Sequence, residues 1–287
     1  MRPTELHSKI FLDSGDPAET KKIIQLLGFL DGQTTNPTLV SKNPYARERF
    51  EKGDKFSETE IYEFYKKVVQ EVSELLPHGS VSIEVYADEN TTPEAMFEQG
   101  KRFNTWITNA HIKYPITGAG LQAAEWTIKN NMRVNMTLCF TQSQAAAVYA
   151  ATKGAGRGDV FVSPFVGRLD DQNENGMDLI KNIVEMYKES DHHTEVLSAS
   201  VRNLNHFMQS LTVGADIITA PYNVLETWGQ EGMPLPNSNF KYPHDNLKSI
   251  DYQAIDLTKA WQSFDIYHDL TDKGITRFAS DWNDLIA

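Results

Sequence analysis

Eight short β-rich runs, each followed by a stretch with helical periodicity and no long linker, constrain this chain more than any other feature. The runs are Lys9–Ser14, Gln33–Pro37, Ser80–Tyr86, Ala110–Pro115, Arg133–Phe140, Asp159–Val166, Glu195–Val201 and Asp216–Ala220. A strand and crossover helix repeated eight times is the pattern of a (β/α)₈ barrel. An open doubly wound sheet is the competing arrangement. The length of 287 residues suits one barrel domain over 1–287, with 231–287 as a C-terminal loop and helical extension. Within that extension Asp256–His268 reads as helical. Leu270–Ile286 follows, with Leu270, Ile275, Phe278, Trp282 and Ile286 as an apolar stripe for the barrel or a neighbouring subunit. Asn43–Ser57 is polar and charged and reads as an exposed excursion; Gln230–Asp251, rich in Pro, Asn and Gly, reads as a loop.

Charge and cysteine usage narrow the partners. The net charge of -12 argues against nucleic acid or an anionic membrane surface, so an anionic substrate needs a local basic pocket. The single cysteine, Cys139, excludes an internal disulfide framework and cysteine-cluster metal sites, and the histidines form no zinc spacing. No signal-peptide pattern and no apolar run of membrane-spanning length is visible. A cytoplasmic, soluble chain is the expectation.

Strand parity shows which polar residues can meet, because alternate residues point into a barrel and chemistry collects at the C-terminal strand ends. The inward sets read as Ser82, Glu84 and Tyr86; His111, Lys113 and Pro115; Asn135, Thr137 and Cys139; Phe161, Ser163 and Phe165; and Ser198, Ser200 and Arg202. Asp13 stands near the end of the first strand, Asn36 near the end of the second, and Arg168 just beyond the sixth. So many polar strand ends point to an active site rather than to packing.

Lys113 is the residue that needs explaining, since an unpaired buried ammonium costs several kcal/mol or more. Desolvation favours a neutral amine, which can attack a carbonyl and form a Schiff base without any cofactor. The plainer alternative is an ion pair with Glu84 or Asp13. Those two carboxylates are also suited to separate acid–base roles, and Arg168 and Arg202 to holding phosphate, with Ser200 adding a hydroxyl donor. His111, one layer beneath Lys113, reads as a satisfied core histidine, and Cys139 as a core thiol whose parity places it near the site mouth.

The motifs "FLDSGD" with Asp13, "TTNPTLV" (Thr34–Val40), "SIEV" (Ser82–Val85), "IKYPIT" (Ile112–Thr117), "NMTLCF" (Asn135–Phe140), "SPFVGR" (Ser163–Arg168) and "ASVRN" (Ala199–Asn203) occur in this order. Together they resemble the transaldolase family, over about Lys9 to Glu231. The resemblance implies a (β/α)₈ barrel, no cofactor and no metal, sugar-phosphate substrates and a homo-oligomer. It implies Lys113 as the Schiff-base lysine, Asp13 as the base for carbon–carbon cleavage, and Glu84 with Thr137 as holders of a water. Asn36, Asn135 and Ser163 then hold the dihydroxyacetone unit and Arg168, Ser200 and Arg202 the phosphate, with Thr34 and Phe165 also substrate-binding. The implied reaction moves a three-carbon ketol unit from a ketose phosphate, such as fructose 6-phosphate or sedoheptulose 7-phosphate, to an aldose phosphate. The related fructose 6-phosphate aldolases, which release free dihydroxyacetone, resemble the chain less, carrying Gln, Tyr and Lys where Glu84, Phe165 and Arg202 stand. A sulfonated ketose donor and a non-catalytic sugar-phosphate-binding barrel are the remaining alternatives.

Overall fold

Near-continuous apolar runs such as Ile10–Leu12 and Ile217–Ile218 are what a strand buried on both faces requires. In the computed structural model, which describes residues 2–244 and 246–287, eight such strands close into a parallel barrel. They are β1 (Lys9–Asp13), β2 (Gly32–Thr34), β3 (Ser80–Glu84), β4 (Ala110–Pro115), β5 (Val134–Cys139), β6 (Val160–Pro164), β7 (Thr194–Ser198) and β8 (Ile217–Ala220). β8 pairs with β1, so closure is complete and the open-sheet alternative falls. The register sets Asp13 beside Thr34, Glu84 beside Lys113, Lys113 beside Asn135 and Pro115 beside Thr137. Adjacent strands thereby carry the proposed chemistry at the same height.

One core lies between strands and helices. Its outward strand residues, Ile83, Ile112, Val134 and Met136 among them, are fully buried. The barrel interior is filled differently, with Phe11 edge-on to Phe161 at 5.9 Å and His111 stacked on Phe161 at 4.0 Å. The helix Pro17–Leu27 starts where Asp16 accepts from the Ala18 amide, with Pro17 in the first turn. It ends at Gly28 with φ of 75°.

Three segments depart from the sequence expectations. Asn43–Ser57 contains a helix, Pro44–Glu51, because Asn43 caps the Tyr45 amide and Pro44 is preset for a first turn. The second strand stops at Thr34, and Asn36 with Pro37 opens a short helix, Pro37–Ser41, instead of ending a strand. Asp256–His268 is not a helix apart from the 3₁₀ turn Trp261–Ser263. Asp256 and Asp265 accept from the amides two residues on, a local bonding that competes with helix formation. This segment is a strap: Gln142 holds Gln253 just before it, Glu125 accepts from the Trp261 indole, and Gln144 donates to the Ile266 carbonyl.

The terminal helix, Asp269–Asn283, packs on its own barrel. Leu270, Ile275, Phe278 and Trp282 are buried as the stripe requires, Trp282 lies 5.7 Å from Tyr65, and Thr271 Oγ1 donates to the Leu138 carbonyl. Phe56 donates its amide to Leu285 O and accepts from the Ala287 amide, which ties down the end of the chain. No helix among the described residues is long and apolar enough to cross a membrane.

Candidate active site

Lys113 sits in the middle of β4, with 3% of its surface exposed, because β4 needs an inward residue where its neighbours supply Glu84 and Asn135. Its Nζ lies 2.9 Å from Glu84 Oε2 and donates to the Thr35 carbonyl at 3.3 Å. The approach to Glu84 is close enough for an ion pair but poorly aligned as a hydrogen bond. Glu84 Oε2 therefore has no well-directed donor, and the buried Thr137 Oγ1 has no partner either. Burial pushes the Glu84 carboxyl above its ordinary range, against the pull of Lys113. The Thr35 carbonyl is held in turn: Thr35 Oγ1 meets Tyr65 Oη at 2.5 Å, and that phenol accepts from the Glu84 amide at 3.0 Å.

Asp13 is the second carboxylate. Thr34 Oγ1 donates to Asp13 Oδ1 at 2.6 Å, so the Thr219 hydroxyl, 2.6 Å from Thr34, donates to Thr34 in its turn. Burial raises the Asp13 pKa, with Lys113 and the Thr34 hydrogen bond opposing. Beneath the cavity, Ser163 Oγ donates to Asn135 Oδ1 at 2.6 Å and Asn135 Nδ2 donates to Ser82 Oγ at 3.0 Å.

A cavity of about 190 Å³ opens at the C-terminal strand ends. Asp13, Thr34, Asn36, Lys113, Ser163, Phe165, Arg168 and Ser200 all line it, eight of the residues the sequence singled out. Asn36 spends its Oδ1 on the Leu39 amide, which leaves its Nδ2 facing the cavity. Glu84 and Thr137 stand behind the wall, and Asn135 lies one layer beneath with both polar ends engaged.

Parity misplaced three residues. Ser198 points outward, its hydroxyl 2.8 Å from Ser210 on the surrounding helix Leu204–Thr212, so Glu195 and Leu197 are the inward residues of β7. Ser200 still reaches the cavity because its φ of 57° re-aims it beyond the strand. Arg202 turns away: its guanidinium forks onto Asp171 at 2.5 and 2.6 Å, outside the cavity. In β5 a register shift with Leu138 at φ of 61° rotates Cys139 out of the barrel. Its thiol donates to the Thr141 carbonyl, and burial pushes it up to about 12, so it is an inert core thiol away from the mouth.

His111 is satisfied on both sides. Its Nε2 donates to the Gly158 carbonyl at 2.9 Å, and Ser80 Oγ donates to its Nδ1 at 2.7 Å. Burial lowers its pKa to about 3, so the ring is neutral. Lys42, Thr38, Thr219, Arg277 and Phe278 also line the cavity and were not singled out from the sequence. The parity of β8 could have flagged Thr219. Arg277 adjoins Phe278 of the terminal apolar stripe, which marks the helix as packed but not onto what.

Fold and site together define a (β/α)₈ barrel with a buried lysine and two carboxylates at its C-terminal mouth. Residues 10–287 match the family described as Transaldolase/Fructose-6-phosphate aldolase. A probable transaldolase of Dehalococcoides mccartyi is 36% identical over 277 residues, 96% of this chain and 99% of that protein. Those of Caulobacter vibrioides and Dinoroseobacter shibae are 35% and 34% identical, each over 96% of both chains. The chain belongs to the transaldolase/fructose-6-phosphate aldolase family.

Proposed function

We propose that this enzyme is a transaldolase that moves a dihydroxyacetone unit from a ketose phosphate to an aldose phosphate through a Schiff base on Lys113. The observation that carries the reading is a buried Lys113 opening into the same cavity as Asp13, Ser163 and Arg168. In this reading the Nζ adds to the ketose C2 carbonyl, and loss of water leaves a protonated imine that can accept electrons. Asp13 takes the proton from the C4 hydroxyl, the C3–C4 bond breaks, and the aldose phosphate departs. The enamine left on Lys113 then attacks the acceptor aldehyde, and hydrolysis frees the new ketose. Carboxyl groups held above their ordinary range by burial suit such proton transfers. Thr137 Oγ1, buried without a partner, and Glu84 Oε2, held only by its ion pair with Lys113, support assigning that pair to the water of imine formation and hydrolysis.

Transfer is favoured over release of free dihydroxyacetone because Phe165, which carries no hydroxyl, lines the cavity and, among the described residues, no tyrosine does. Fructose 6-phosphate supplied with erythrose 4-phosphate should yield sedoheptulose 7-phosphate and glyceraldehyde 3-phosphate, read by mass spectrometry. Equal consumption of the donor with and without acceptor, with free dihydroxyacetone accumulating, would refute transfer.

A further inference from the structure

The terminal helix completes the anion-binding end of the cavity. Arg168 is half-buried, its guanidinium 5.4 Å from the ring centres of both Phe165 and Phe278, and no carboxylate of the described residues lies within 4.0 Å of it. Arg277 enters the same cavity from the terminal helix and Lys42 from the end of the short helix Pro37–Ser41 packed against it, against Asp13 as the one carboxylate among the described residues of the lining. Gathering cations on a semi-enclosed wall is unfavourable unless an anion spans them.

The contact between the helix and Arg168 is built in. A Cβ on Gly274 would fall 2.7 Å from Arg168 Nη1 and 2.6 Å from Leu138 Cδ2, so a larger residue there would have to push the Arg168 guanidinium and the Leu138 side chain aside. Glycine inside a helix costs ~1 kcal/mol relative to alanine, a cost that the close approach accounts for. Arg277 itself is only loosely held: its Nε lies 3.7 Å from Asp281 Oδ2, an oxygen that also accepts from Thr38. Arg202, by contrast, is already neutralised by Asp171.

We propose that Arg277 and Arg168 form a two-guanidinium clamp on the phosphate of the sugar-phosphate substrates, assembled by the close approach of the terminal helix at Gly274. This assignment rests on the sugar-phosphate reading above. The helix is then part of the binding site, and Arg277 sets the preference for phosphorylated over plain sugars.

Calorimetric titration with inorganic phosphate tests the clamp without any turnover. Arg277→Gln, at an exposed position, should weaken phosphate binding about tenfold, and Arg277→Lys less, since lysine keeps the charge but not the planar fork. Kinetically, Arg277→Gln should raise KM for fructose 6-phosphate while leaving kcat and the KM for fructose nearly unchanged. Phosphate affinity within twofold of the unmodified protein in Arg277→Gln would overturn the clamp. Gly274→Ala should also weaken phosphate binding; unchanged affinity there would remove the helix-approach part. Trapping of the substrate on Lys113 in parallel separates the two readings: an intact adduct with flat phosphate titrations refutes the clamp alone, whereas phosphate binding without an adduct refutes the Schiff base alone.

Discussion

The two ends of the barrel carry similar residue types but satisfy them differently. At the N-terminal end Lys9 Nζ sits 3.0 Å from both oxygens of Glu195, Arg2 forks onto Asp31, Arg133 donates to the Thr108 carbonyl, and both nitrogens of His111 are bonded. At the C-terminal mouth the buried Thr137 Oγ1 has no partner, Glu84 Oε2 is held only by its ion pair with Lys113, Arg168 has no carboxylate within 4.0 Å among the described residues, and Asp13 and Glu84 are held above the usual carboxylate range by burial. The N-terminal cavity, about 480 Å³, is the larger of the two. Size therefore does not mark the candidate working end, nor do orphaned hydroxyls alone, since Thr194 Oγ1 at the N-terminal start of β7 is also buried without a partner; the two raised carboxyls beside Lys113 are what set the C-terminal end apart. In the proposed reading one end serves stability and the other serves the chemistry.

Substitutions at the two ends should separate activity from stability. The largest effect is expected from Lys113→Met, which removes the proposed nucleophile: transfer activity should fall about 10⁴-fold or more while the protein stays folded. Retention of a tenth of the activity would place the chemistry elsewhere. Asp13→Asn should lower kcat by roughly 10²–10⁴-fold. It should also raise the melting temperature near neutral pH, because burial disfavours the ionised carboxylate that the amide replaces. A drop in both would make Asp13 a structural residue. At the other end, Ser80→Ala should cost about 1–2 kcal/mol by leaving His111 Nδ1 without its donor, with kcat within twofold. A large kcat loss there would blur the distinction between the ends.

The smallest effect is a difference in pH dependence. His111 is held near 3 in the fold and titrates near 6.5 unfolded, so between those values the unfolded chain binds more protons. Its contribution to stability is complete above about 6.5 and is lost as pH falls towards 3, at no more than ~1.4 kcal/mol per pH unit. Asp13 and Glu84 act in the opposite sense: with raised folded pKa values, their contribution is present below the ordinary carboxylate range and lost as pH rises through the folded values. Denaturant titrations at pH 7 and pH 5 should show a smaller acid loss in His111→Gln than in the unmodified chain; parallel losses would assign the slope to other groups.

Much of this was legible in the chain itself, because buried parallel strands leave continuous apolar runs and the alternation of strand and helix counts to eight. All eight strands appear where expected, within a few residues at their ends. Parity placed Glu84, Lys113, Asn135, Thr137 and Ser163 on the inner face, where strands stay regular. It failed at Cys139, where the backbone leaves the extended region at Leu138, a non-glycine residue with positive φ, whereas the same conformation at Ser200 brings that residue to the cavity against the phase of its strand. Ser198 and Arg202 were misplaced because β7 runs in the opposite phase, with Glu195 inward to meet Lys9, a pairing visible only once β1 and β7 are known to flank β8 in the closed barrel. The role of the strap at Asp256–His268 and the arrival of Arg277 at the cavity are long-range packing outcomes with no local signal.

The most direct measurement is mass spectrometry of the protein after incubation with fructose 6-phosphate and borohydride. A reduced three-carbon or six-carbon adduct on Lys113, absent from Lys113→Met, is the expected result. Turnover of the same substrate with Lys113 unmodified would contradict the Schiff base.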